Sequence, residues 1–391
     1  MQVDDLILTK SLGKGAFGEV FLTQKKGSKE FYATKRLDRV YSEKPENVKR
    51  IINEIQLLKK INHPNIVKLI DLKKTKSHVY IVMEFCNGGD LSGCLKKYKA
   101  IHKRPFSEEI VQYLMRQIVS GLNFLHSNKI LHRDLKLDNI LVTFKSDNDK
   151  NSLNMMKSVV KIIDFGFATT LKSKNSLTYT VLGTPTYMDP QLLSNMETKT
   201  PNVQGYDDKA DIWSLGTLCY EMLVGHMAFS GTSMNELFQK VKQGTYFLPT
   251  NLSEEVVSFI EGMLQKDPKK RLSAHELLKH DFLVKNVRQF KALDVRKIPG
   301  AVQNGGILTV NAGATKQANK LQETVWDIFV QPMPSSPQIP ISNQQQYAGV
   351  QVMGQPIMQM NQQAMYITPQ MGVQQYYQQP GVNQNMYRYY K

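Results

Sequence analysis

Short apolar stretches, separated by polar or glycine-containing turns, dominate the N-terminal quarter of the chain. Their length and their β-branched and aromatic content are typical of strands. The predicted strands are residues 6–12, 20–23, 31–35, 67–72 and 79–85. One segment differs, because residues 48–61 place Ile51, Ile55 and Leu58 at the spacing of a single helical face. This predicted helix ends before Pro64, since proline disfavours a helical residue in front of it.

The pattern becomes mainly helical between residues 90 and 282. Apolar residues recur at helical spacing in residues 108–126, 210–223 and 253–264. These patterns predict an α+β chain, in which a β-rich lobe with one helix precedes a mainly helical lobe. We expect the folded domain to span residues 4–284, with the N-lobe in residues 4–86 and the C-lobe in residues 87–284.

The composition changes in the C-terminal part of the chain. Residues 331–391 contain 16 Gln, 7 Tyr and no acidic residue, and they lack apolar clusters that could build a core. Such a low-complexity tail is predicted to be disordered and prone to self-association. Residues 285–330 are basic and contain glycines, and we interpret them as a linker between the domain and the tail.

Charge and cysteine content narrow the functional classes. The formal net charge is +16, but the basic residues are dispersed. A specific nucleic-acid site is therefore not expected, whereas affinity for anionic partners and peripheral association with membranes stay open. The chain lacks a long apolar run and an apolar N-terminal segment, so neither a transmembrane span nor a signal peptide is predicted. The three cysteines lack metal-site spacing and are expected to be thiols in a reducing cytoplasm.

A glycine-rich turn follows the first predicted strand. Gly13, Gly15 and Gly18 would let main-chain N–H groups approach phosphate oxygens without obstruction by a Cβ atom. The same pattern occurs in simple tight hairpins and in dinucleotide-binding folds. A dinucleotide site requires a helix after the glycines, whereas residues 17–23 have strand character. A glycine-capped hairpin is therefore favoured.

Two charged residues could act together beside this turn. Lys35 ends the third predicted strand, and Glu54 lies 19 positions later on the inner face of the predicted helix. A lysine–glutamate pair here would hold the ammonium group against the α- and β-phosphates of a nucleotide. Either residue alone would indicate nothing about function.

Two further motifs supply the groups that phosphoryl transfer requires. A His-Arg-Asp motif ends in Asp134, and an Asp-Phe-Gly motif begins 30 residues later at Asp164. Asp134 can accept a hydroxyl proton, and Lys136 can neutralise a phosphoryl group in transfer. Asn139 and Asp164 offer the hard oxygen ligands that Mg²⁺ prefers. Each motif alone is a common chance match, but their joint order and spacing are not.

Residues 4–284, which carry these motifs, resemble the eukaryotic protein kinase family. The resemblance implies a bilobal kinase fold whose N-lobe helix is regulatory, with ATP and Mg²⁺ as cofactors and a hinge at residues 84–86 behind a gatekeeper, Met83. It also implies that Asp211 anchors the catalytic loop and that His132 and Phe165 stack in a regulatory spine. The implied catalytic residues are Lys35, Glu54, Asp134, Lys136 and Asn139, and the implied metal ligands are Asn139 and Asp164. The implied ATP-binding residues are Leu12, Gly13, Lys14, Gly15, Ala16, Phe17, Gly18, Val20, Ala33, Lys35, Met83, Glu84, Cys86, Asp90 and Leu141.

The resemblance also bears on substrate and subfamily. Lys136 and Thr184 match the serine/threonine pattern, so protein serine and threonine side chains are the expected substrates of a monomeric kinase domain. Three segments are similar to the autophagy-initiating kinases, the ULK family: residues 79–91, residues 164–168 and the polar insertion at 144–158. The tandem helical domain of that family does not fit into residues 285–391. Asp90, Asp138 and Glu221 match acidic positions of basic-directed kinases and would favour Arg or Lys upstream of the target hydroxyl.

The chain departs from the family at residues 189–191, which read Asp-Pro-Gln in place of Ala-Pro-Glu. The family glutamate pairs with an arginine that matches Arg271. We expect Gln191 to keep a hydrogen bond to Arg271 and the ion pair to be lost. Two alternative functions stay open: a pseudokinase scaffold without transfer activity, and an adaptor driven by the tail.

Regulation by phosphorylation is expected at Thr180, with Ser176 and Thr178 as alternatives. Arg133 precedes the catalytic aspartate, and kinases with this arginine often need an activation-segment phosphate to neutralise it. An upstream activating kinase would add that phosphate. The alternative is an unmodified loop threonine, and a Thr180→Ala variant, expected to lose activity, separates the two.

Overall fold

The N-lobe consists of six strands and one helix. The structure is a computed structural model that describes residues 2–15, 18–38, 45–170, 183–198, 207–298, 302–304 and 306–312. The N-lobe elements are β1 Gln2–Val3, β2 Leu6–Gly15, β3 Gly18–Lys25, β4 Phe31–Asp38, α1 Pro45–Lys60, β5 Leu69–Lys74 and β6 His78–Glu84. The five strands and the helix predicted from the sequence are therefore confirmed, and β1 is additional.

The strands form one antiparallel sheet in the order β1-β2-β3-β4-β6-β5. β2 and β3 extend beyond their apolar residues to Gly15 and Gly18, because main-chain pairing continues into the glycine turn. Helix α1 buries Ile51 and Leu58, as its periodicity predicted. Glu54 lies on the same inner face and is 5% exposed, so a carboxylate enters the core from this helix.

The C-lobe is mainly helical. Its elements are β7 Gly89–Asp90, α2 Leu91–His102, α3 Glu108–Ser127, β8 Ile130–Leu131, β9 Ile140–Phe144, α4 Asp147–Asn151, β10 Ser158–Ile162, β11 Thr169–Thr170, α5 Pro190–Thr198, α6 Asp208–Val224, α7 Met234–Gln243, β12 Thr245–Pro249, α8 Glu254–Met263, α9 Ala274–Leu277 and α10 Asp281–Val284. The α+β fold class with a sheet lobe before a helical lobe is confirmed. No helix among the described residues has the length and apolar character needed to cross a membrane.

Helix α6 is the centre of the C-lobe. Every residue from 210 to 220 is buried, and α6 packs against α3 and α8. A helix that is covered on all sides needs small residues where its neighbours approach. At Gly216 an added Cβ would lie 2.8 Å from the Leu264 side chain and 2.9 Å from Met263. The enclosure makes α6 a rigid support for the loops that precede β9 and follow β10.

Two small sheets fix those loops. β9 pairs with both β7 and β10, and β8 pairs with β11. The His-Arg-Asp motif lies between β8 and β9, and the Asp-Phe-Gly motif lies between β10 and β11. Both motifs are therefore held at the same end of these strands, close to the N-lobe.

The packed region does not end at residue 284. After two 3-10 turns, β13 Val302–Asn304 and β14 Ile307–Asn311 form an antiparallel pair, and β14 pairs with β12. Leu308 and Val310 are buried with the C-lobe core. Residues 285–330 were interpreted as a linker because they are basic and glycine-containing, but up to residue 312 this segment carries core residues. The overlooked signal is the apolar run at 307–310 after Asn-Gly-Gly, a turn sequence typical of hairpins. Residues 313–330 and the predicted tail at 331–391 lie outside the described residues.

Candidate active site

The glycine turn joins two antiparallel strands, as the hairpin interpretation predicted. Gly15 pairs with Gly18 across the end of the β2–β3 ladder, so the helix required for a dinucleotide site does not follow. Gly18 has φ +138°, and a Cβ there would lie 2.1 Å from the Arg36 carbonyl oxygen. A side chain at Gly13, in contrast, would meet no atom within 4 Å, which leaves the main chain open to a ligand. Ala16 and Phe17 lie outside the described residues.

Lys35 and Glu54 are in contact. Lys35 Nζ donates to Glu54 Oε1 at 2.9 Å and to Oε2 at 3.2 Å. Both side chains are largely buried, at 14% and 7% exposure, which strengthens the pair relative to a surface salt bridge. β4 and α1 thus hold the ammonium group beside the glycine turn, because Lys35 pairs with Val20 of β3 in the sheet.

A buried carboxylate organises the main chain before Asp134, the predicted catalytic base. Asp211 at the start of α6 accepts hydrogen bonds at 2.9 Å from the N–H groups of both His132 and Arg133. Arg133 has φ +68°, an unusual conformation for a non-glycine residue that these two bonds support. The His132 ring bonds to the Ile163 carbonyl oxygen at 2.8 Å and contacts the Phe165 ring edge-on at 5.4 Å. The two motifs are therefore joined through the contacts of one histidine.

Asp134 is 6% exposed and has partners on both carboxylate oxygens. Lys136 Nζ lies 2.9 Å from Oδ2, and the Asn139 amide donates to Oδ2 at 3.0 Å and to the Asp134 carbonyl at 2.7 Å. The Thr184 hydroxyl donates to Oδ1 at 2.8 Å and accepts from Lys136 Nζ at 2.9 Å. Four residues that are up to 50 positions apart thus form one polar cluster.

Thr184 makes a contact in the candidate site that the sequence interpretation missed. Its motif was used only to distinguish serine/threonine from tyrosine specificity, yet its hydroxyl bridges the Asp134 carboxylate and Lys136. The usable signal was a single hydroxyl residue in a Gly-Thr-Pro turn, with no indication of which partner it would meet.

Asp164 lies next to Asn139. The Ile163 N–H donates to the Asn139 carbonyl oxygen at 2.9 Å. Asp164 is the next residue along the chain, so this main-chain hydrogen bond holds it near Asn139. Asp164 has φ +66°, and its Oδ1 accepts from the Gly166 N–H at 3.3 Å. Its Oδ2 has no partner among the described residues, and the Asn139 amide nitrogen is occupied by Asp134, which leaves the Asn139 oxygen available.

These two oxygen donors are of the hard type that Mg²⁺ prefers. Mg²⁺ is commonly held by one or two protein oxygens together with waters and substrate phosphates. In the described part of the chain, no group of three or more His, Cys, Asp or Glu side chains could hold a metal alone. Phosphate oxygens would therefore have to complete the coordination shell.

The hinge follows β6. Met83 pairs with Ala33 in the sheet, and Glu84 pairs with Tyr32. The Glu84 carboxylate accepts hydrogen bonds from Lys161 Nζ at 2.9 Å and from the Lys68 N–H at 2.7 Å. Its side chain therefore links the end of β6 to β10 and to the segment before β5. No described residue bonds the main-chain N–H or C=O of Cys86. These two groups are available for the polar edge of a purine base, while burial raises the pKa of the Cys86 thiol.

The remaining predicted ATP residues surround this hinge. Leu12 on β2 is 44% exposed, whereas Ala33 is buried. Asp90 pairs with Leu141 in the β7–β9 ladder, so both lie on the C-lobe side. The Asp90 carboxylate also caps α2, because its Oδ1 accepts from the Gly93 N–H at 2.7 Å. Gly88 is held at the Val142 main chain, where an added Cβ would lie 2.7 Å from the carbonyl oxygen.

The expectation that the Arg271 ion pair is lost is wrong. Asp189 Oδ2 accepts from Arg271 Nη1 at 2.8 Å, and Gln191 Oε1 accepts from Nη2 at 3.0 Å. The Arg271 side chain has 0% exposure and stacks over the Trp213 ring at 5.0 Å. The carboxylate has thus moved two positions along the chain, and the predicted Gln191 hydrogen bond is present beside it. The physical reason is that a buried guanidinium needs a carboxylate as its partner. The planar Arg271 guanidinium has several donors and can bind a carboxylate at residue 189 or at residue 191.

Three acidic residues that match basic-directed kinases are partly buried. The Glu221 carboxylate accepts a short hydrogen bond from the Tyr187 hydroxyl, and burial raises its pKa to about 7. Burial also raises the pKa of Asp138, with Lys136 opposing and Asp90 adding to the shift. The negative groups are therefore close enough to interact, and a nearby cation would lower their pKa values again.

The predicted phosphorylation sites Thr180, Ser176 and Thr178 lie outside the described residues. Arg133, the residue expected to need their phosphate, is described, and its Nε donates to the Phe167 carbonyl oxygen.

The sequence model of the protein kinase domain matches residues 6–283. Among curated proteins, the chain is 32% identical to the serine/threonine-protein kinase PLK4 of Danio rerio over 85% of this chain and 33% of that protein. It is 36% identical to the calcium-dependent protein kinase 3 of Plasmodium berghei over 73% of this chain and 47% of that protein. It is 34% identical to the probable serine/threonine-protein kinase nek3 of Dictyostelium discoideum over 70% of this chain and 23% of that protein. The chain thus spans between 23% and 47% of the length of these relatives.

Proposed function

The chain belongs to the protein kinase family, as a serine/threonine protein kinase domain, and from this premise we propose that it transfers the γ-phosphoryl group of ATP to serine and threonine side chains of proteins. The observation that carries the proposal is the polar cluster around Asp134. A catalytic carboxylate with a cation and two hydrogen-bond donors beside it, next to an available pair of metal-binding oxygens, matches the requirements of phosphoryl transfer.

Asp134 is proposed to receive the proton of the attacking hydroxyl. The substrate hydroxyl would take the place of the Thr184 hydroxyl on Asp134 Oδ1, since both are neutral donors of the same size. Lys136 lies 2.9 Å from Asp134 Oδ2 and can move its charge towards the phosphoryl oxygens as they approach. The proton would then pass from the substrate oxygen to Asp134 as the new oxygen–phosphorus bond forms, while the bond between the γ-phosphorus and the bridging oxygen breaks and ADP leaves.

ATP binding is supported by the open glycine turn, the available main chain at Cys86 and the Lys35–Glu54 pair. Lys35 would contact the α- and β-phosphates, with Glu54 orienting it. Asn139 and Asp164 would hold Mg²⁺, which bridges the phosphates and neutralises their charge. Gly13, whose missing side chain leaves open space, lets the β2 main chain come close to the phosphates.

A basic residue upstream of the target hydroxyl is the proposed substrate feature. Asp138 and Glu221 both have raised pKa values, so a nearby cation would stabilise their ionised carboxylates. The Tyr187 hydrogen bond gives Glu221 an additional structural role, which makes Asp138 the better test. With a peptide pair that differs only by Arg or Ala upstream of the serine, we expect Asp138→Asn to reduce the preference for Arg through KM. An equal preference in the variant and the wild type would contradict the idea.

Activation by phosphorylation of Thr180 and a role in autophagy initiation are finer proposals. Arg133 is 9% exposed and lies beside Phe167, at the start of the segment that leads to Thr180. Thr180→Ala is expected to lower kcat, and full activity would refute the proposal. The relatives described above give no support to the autophagy-initiating subfamily, so that assignment depends only on residues 79–91, 144–158 and 164–168.

The primary experiment measures phosphate transfer from Mg-ATP to a basic protein substrate, with phosphoamino-acid analysis. Asp134→Asn is expected to lower kcat by about 10²–10⁴-fold, the usual contribution of a catalytic base. Asp147→Asn is the matched control, since Asp147 is exposed on α4 and should leave kcat unchanged. Stabilisation by Mg-ATP without any transfer by the wild type would favour the pseudokinase alternative. Transfer to tyrosine would contradict the proposed specificity.

A further inference from the structure

Helix α2 (Leu91–His102) has two unlike faces. Leu91, Cys94, Leu95 and Tyr98 are buried against the C-lobe core. The opposite face and the two residues after the helix are all exposed: Lys96, Lys97, Ala100, Ile101, Lys103 and Arg104. We call these six residues the basic face.

No counter-charge in the described part of the chain pairs with the cations of the basic face. None of its Lys or Arg side chains forms an ion pair or a hydrogen bond with a described residue. Residues 91–107 contain no Asp or Glu at all. Lys99, which lies beside the face, is different because its ammonium group donates to the Gly225 carbonyl oxygen. Four uncompensated positive charges within nine residues therefore produce a positive potential that the fold itself does not use.

An exposed apolar side chain lies at the edge of the basic face. Ile101 is 60% exposed, the highest value among the large apolar side chains that are exposed in the described part of the chain. One exposed isoleucine is ordinary on a protein surface. Here, however, it lies one helical turn from Lys97 and two residues before Lys103, the left-handed cap at which the helix ends. An exposed apolar residue beside a group of cations is an arrangement that partitions into the headgroup region of an anionic bilayer.

We propose that the basic face docks this protein onto membranes that contain anionic phospholipids. Lys96, Lys97, Lys103 and Arg104 bind lipid headgroups, and Ile101 inserts among the upper methylene groups. An acidic peptide is the less suitable partner, because the main chain of a helix is satisfied internally and offers no edge for strand addition. The helix begins at its cap Asp90, beside the predicted nucleotide site, and its 12 residues extend about 18 Å away from it. Docking through the C-terminal end of α2 therefore leaves that site accessible.

The first test is sedimentation of the full chain with vesicles. We compare phosphatidylcholine vesicles with vesicles of phosphatidylcholine and phosphatidylserine, and expect binding only to the latter. Each cation close to an anionic surface contributes about fivefold to partitioning, so Lys96→Glu with Lys97→Glu should lower binding by at least about 20-fold. The control is Lys269→Glu with Lys270→Glu, an exposed lysine pair elsewhere on the C-lobe that changes the net charge equally. This control should bind within about twofold of wild type.

The second test isolates the apolar contribution at constant charge. Ile101→Ser should weaken vesicle binding by about fivefold or more, because the serine side chain has less apolar surface to transfer from water into the membrane. Val284→Ser is its control, since Val284 is 57% exposed on α10 and lies outside the basic face. Equal losses in both lysine pairs, or no binding to phosphatidylserine vesicles, would overturn the proposal. Binding of polyglutamate through the same lysines without vesicle binding would assign the face to an acidic protein partner instead.

Discussion

A buried guanidinium leaves few choices for the residues around it. Arg271 has no exposed side-chain surface, and its three nitrogens reach Asp189, Gln191 and the carbonyl oxygens of residues 209 and 265. Asp189 does two jobs, because its Oδ1 also accepts from the Leu192 N–H at 2.8 Å and so caps α5. The unusual Asp-Pro-Gln sequence therefore retains one carboxylate for Arg271.

At this residue, Asp189→Asn separates charge from capping. Asparagine caps a helix as well as aspartate, so the variant removes mainly the ion pair. Breaking one side of a buried pair is expected to lower the free energy of unfolding by about 3–5 kcal/mol. Adding Gln191→Glu should recover most of this loss, because the carboxylate returns two positions later. Urea denaturation of the single and double variants measures both effects, and a single variant as stable as wild type would refute the role of Asp189.

At the scale of elements, the pair β13–β14 extends the C-lobe by burying three consecutive residues of β14, Leu308, Thr309 and Val310. Along β14, Leu308 is buried, whereas Ile307 is 41% exposed. Both faces of β14 are covered from residue 308 to residue 310, and Ile307 lies at the exposed start of the strand. Two neighbouring apolar residues of similar size are thus expected to contribute very differently to stability, the buried one much more than the exposed one.

Leu308→Ala is expected to lower the free energy of unfolding by about 2–5 kcal/mol, the usual range for a truncated core side chain. Ile307→Ala is the matched control and should change stability by no more than about 0.5 kcal/mol. Thermal denaturation of both variants compares them directly. Similar effects of the two substitutions would mean that β14 does not pack as described.

Helix α8 carries a buried carboxyl group without a partner among the described residues. Burial raises the pKa of Glu261 from 4.5 to about 7. Between these two values the folded state binds more protons than the unfolded chain, so the free energy of unfolding falls as the pH rises through this window. The total effect is up to about 3 kcal/mol, and Glu221 adds an effect of the same sign.

Glu261→Gln should therefore stabilise the protein at pH 8 and change it little at pH 4.5. Melting temperatures at the two pH values, compared with those of Glu109→Gln, test this prediction. Glu109 is exposed on α3 and provides the same chemical change without burial. A pH dependence as steep in Glu261→Gln as in wild type would contradict it.

At the scale of the molecule, the described elements and all assembled site residues lie within residues 2–312. The last described residue, Ala312, is 3% exposed, so the packed region continues up to that point. Truncation near residue 290 would remove Ile298, Leu308 and Val310 from the core. A cut intended to separate the tail from the kinase must therefore follow residue 312.

A chain that ends at residue 312 is expected to keep the kcat and the melting temperature of the full chain. A chain that ends at residue 290 should melt about 10 °C lower, since three buried aliphatic side chains are lost. Calorimetry and the phosphate-transfer assay on both chains provide the measurements. Loss of activity in the chain that ends at residue 312 would mean that residues 313–391 contribute to catalysis. That result would favour a larger role for the tail.

The sequence by itself determined the two-lobed α+β fold and the order of the catalytic motifs. Strand and helix periodicity are local, and the distances from Asp134 to Asn139 and Asp164 along the chain are characteristic of one kind of site. The roles of individual site residues remain predictions, although Lys35 and Glu54, and the residues around Asp134, are in contact.

Only the tertiary structure decided which distant residues meet. Asp189 and Arg271 are 82 positions apart, and Asp134 and Thr184 are 50 apart, so no local pattern could indicate either contact. The same holds for β14, whose apolar residues became core only by pairing with β12. It also holds for the basic face, because a run of lysines reveals its unpaired charges only when the surrounding fold supplies no carboxylate.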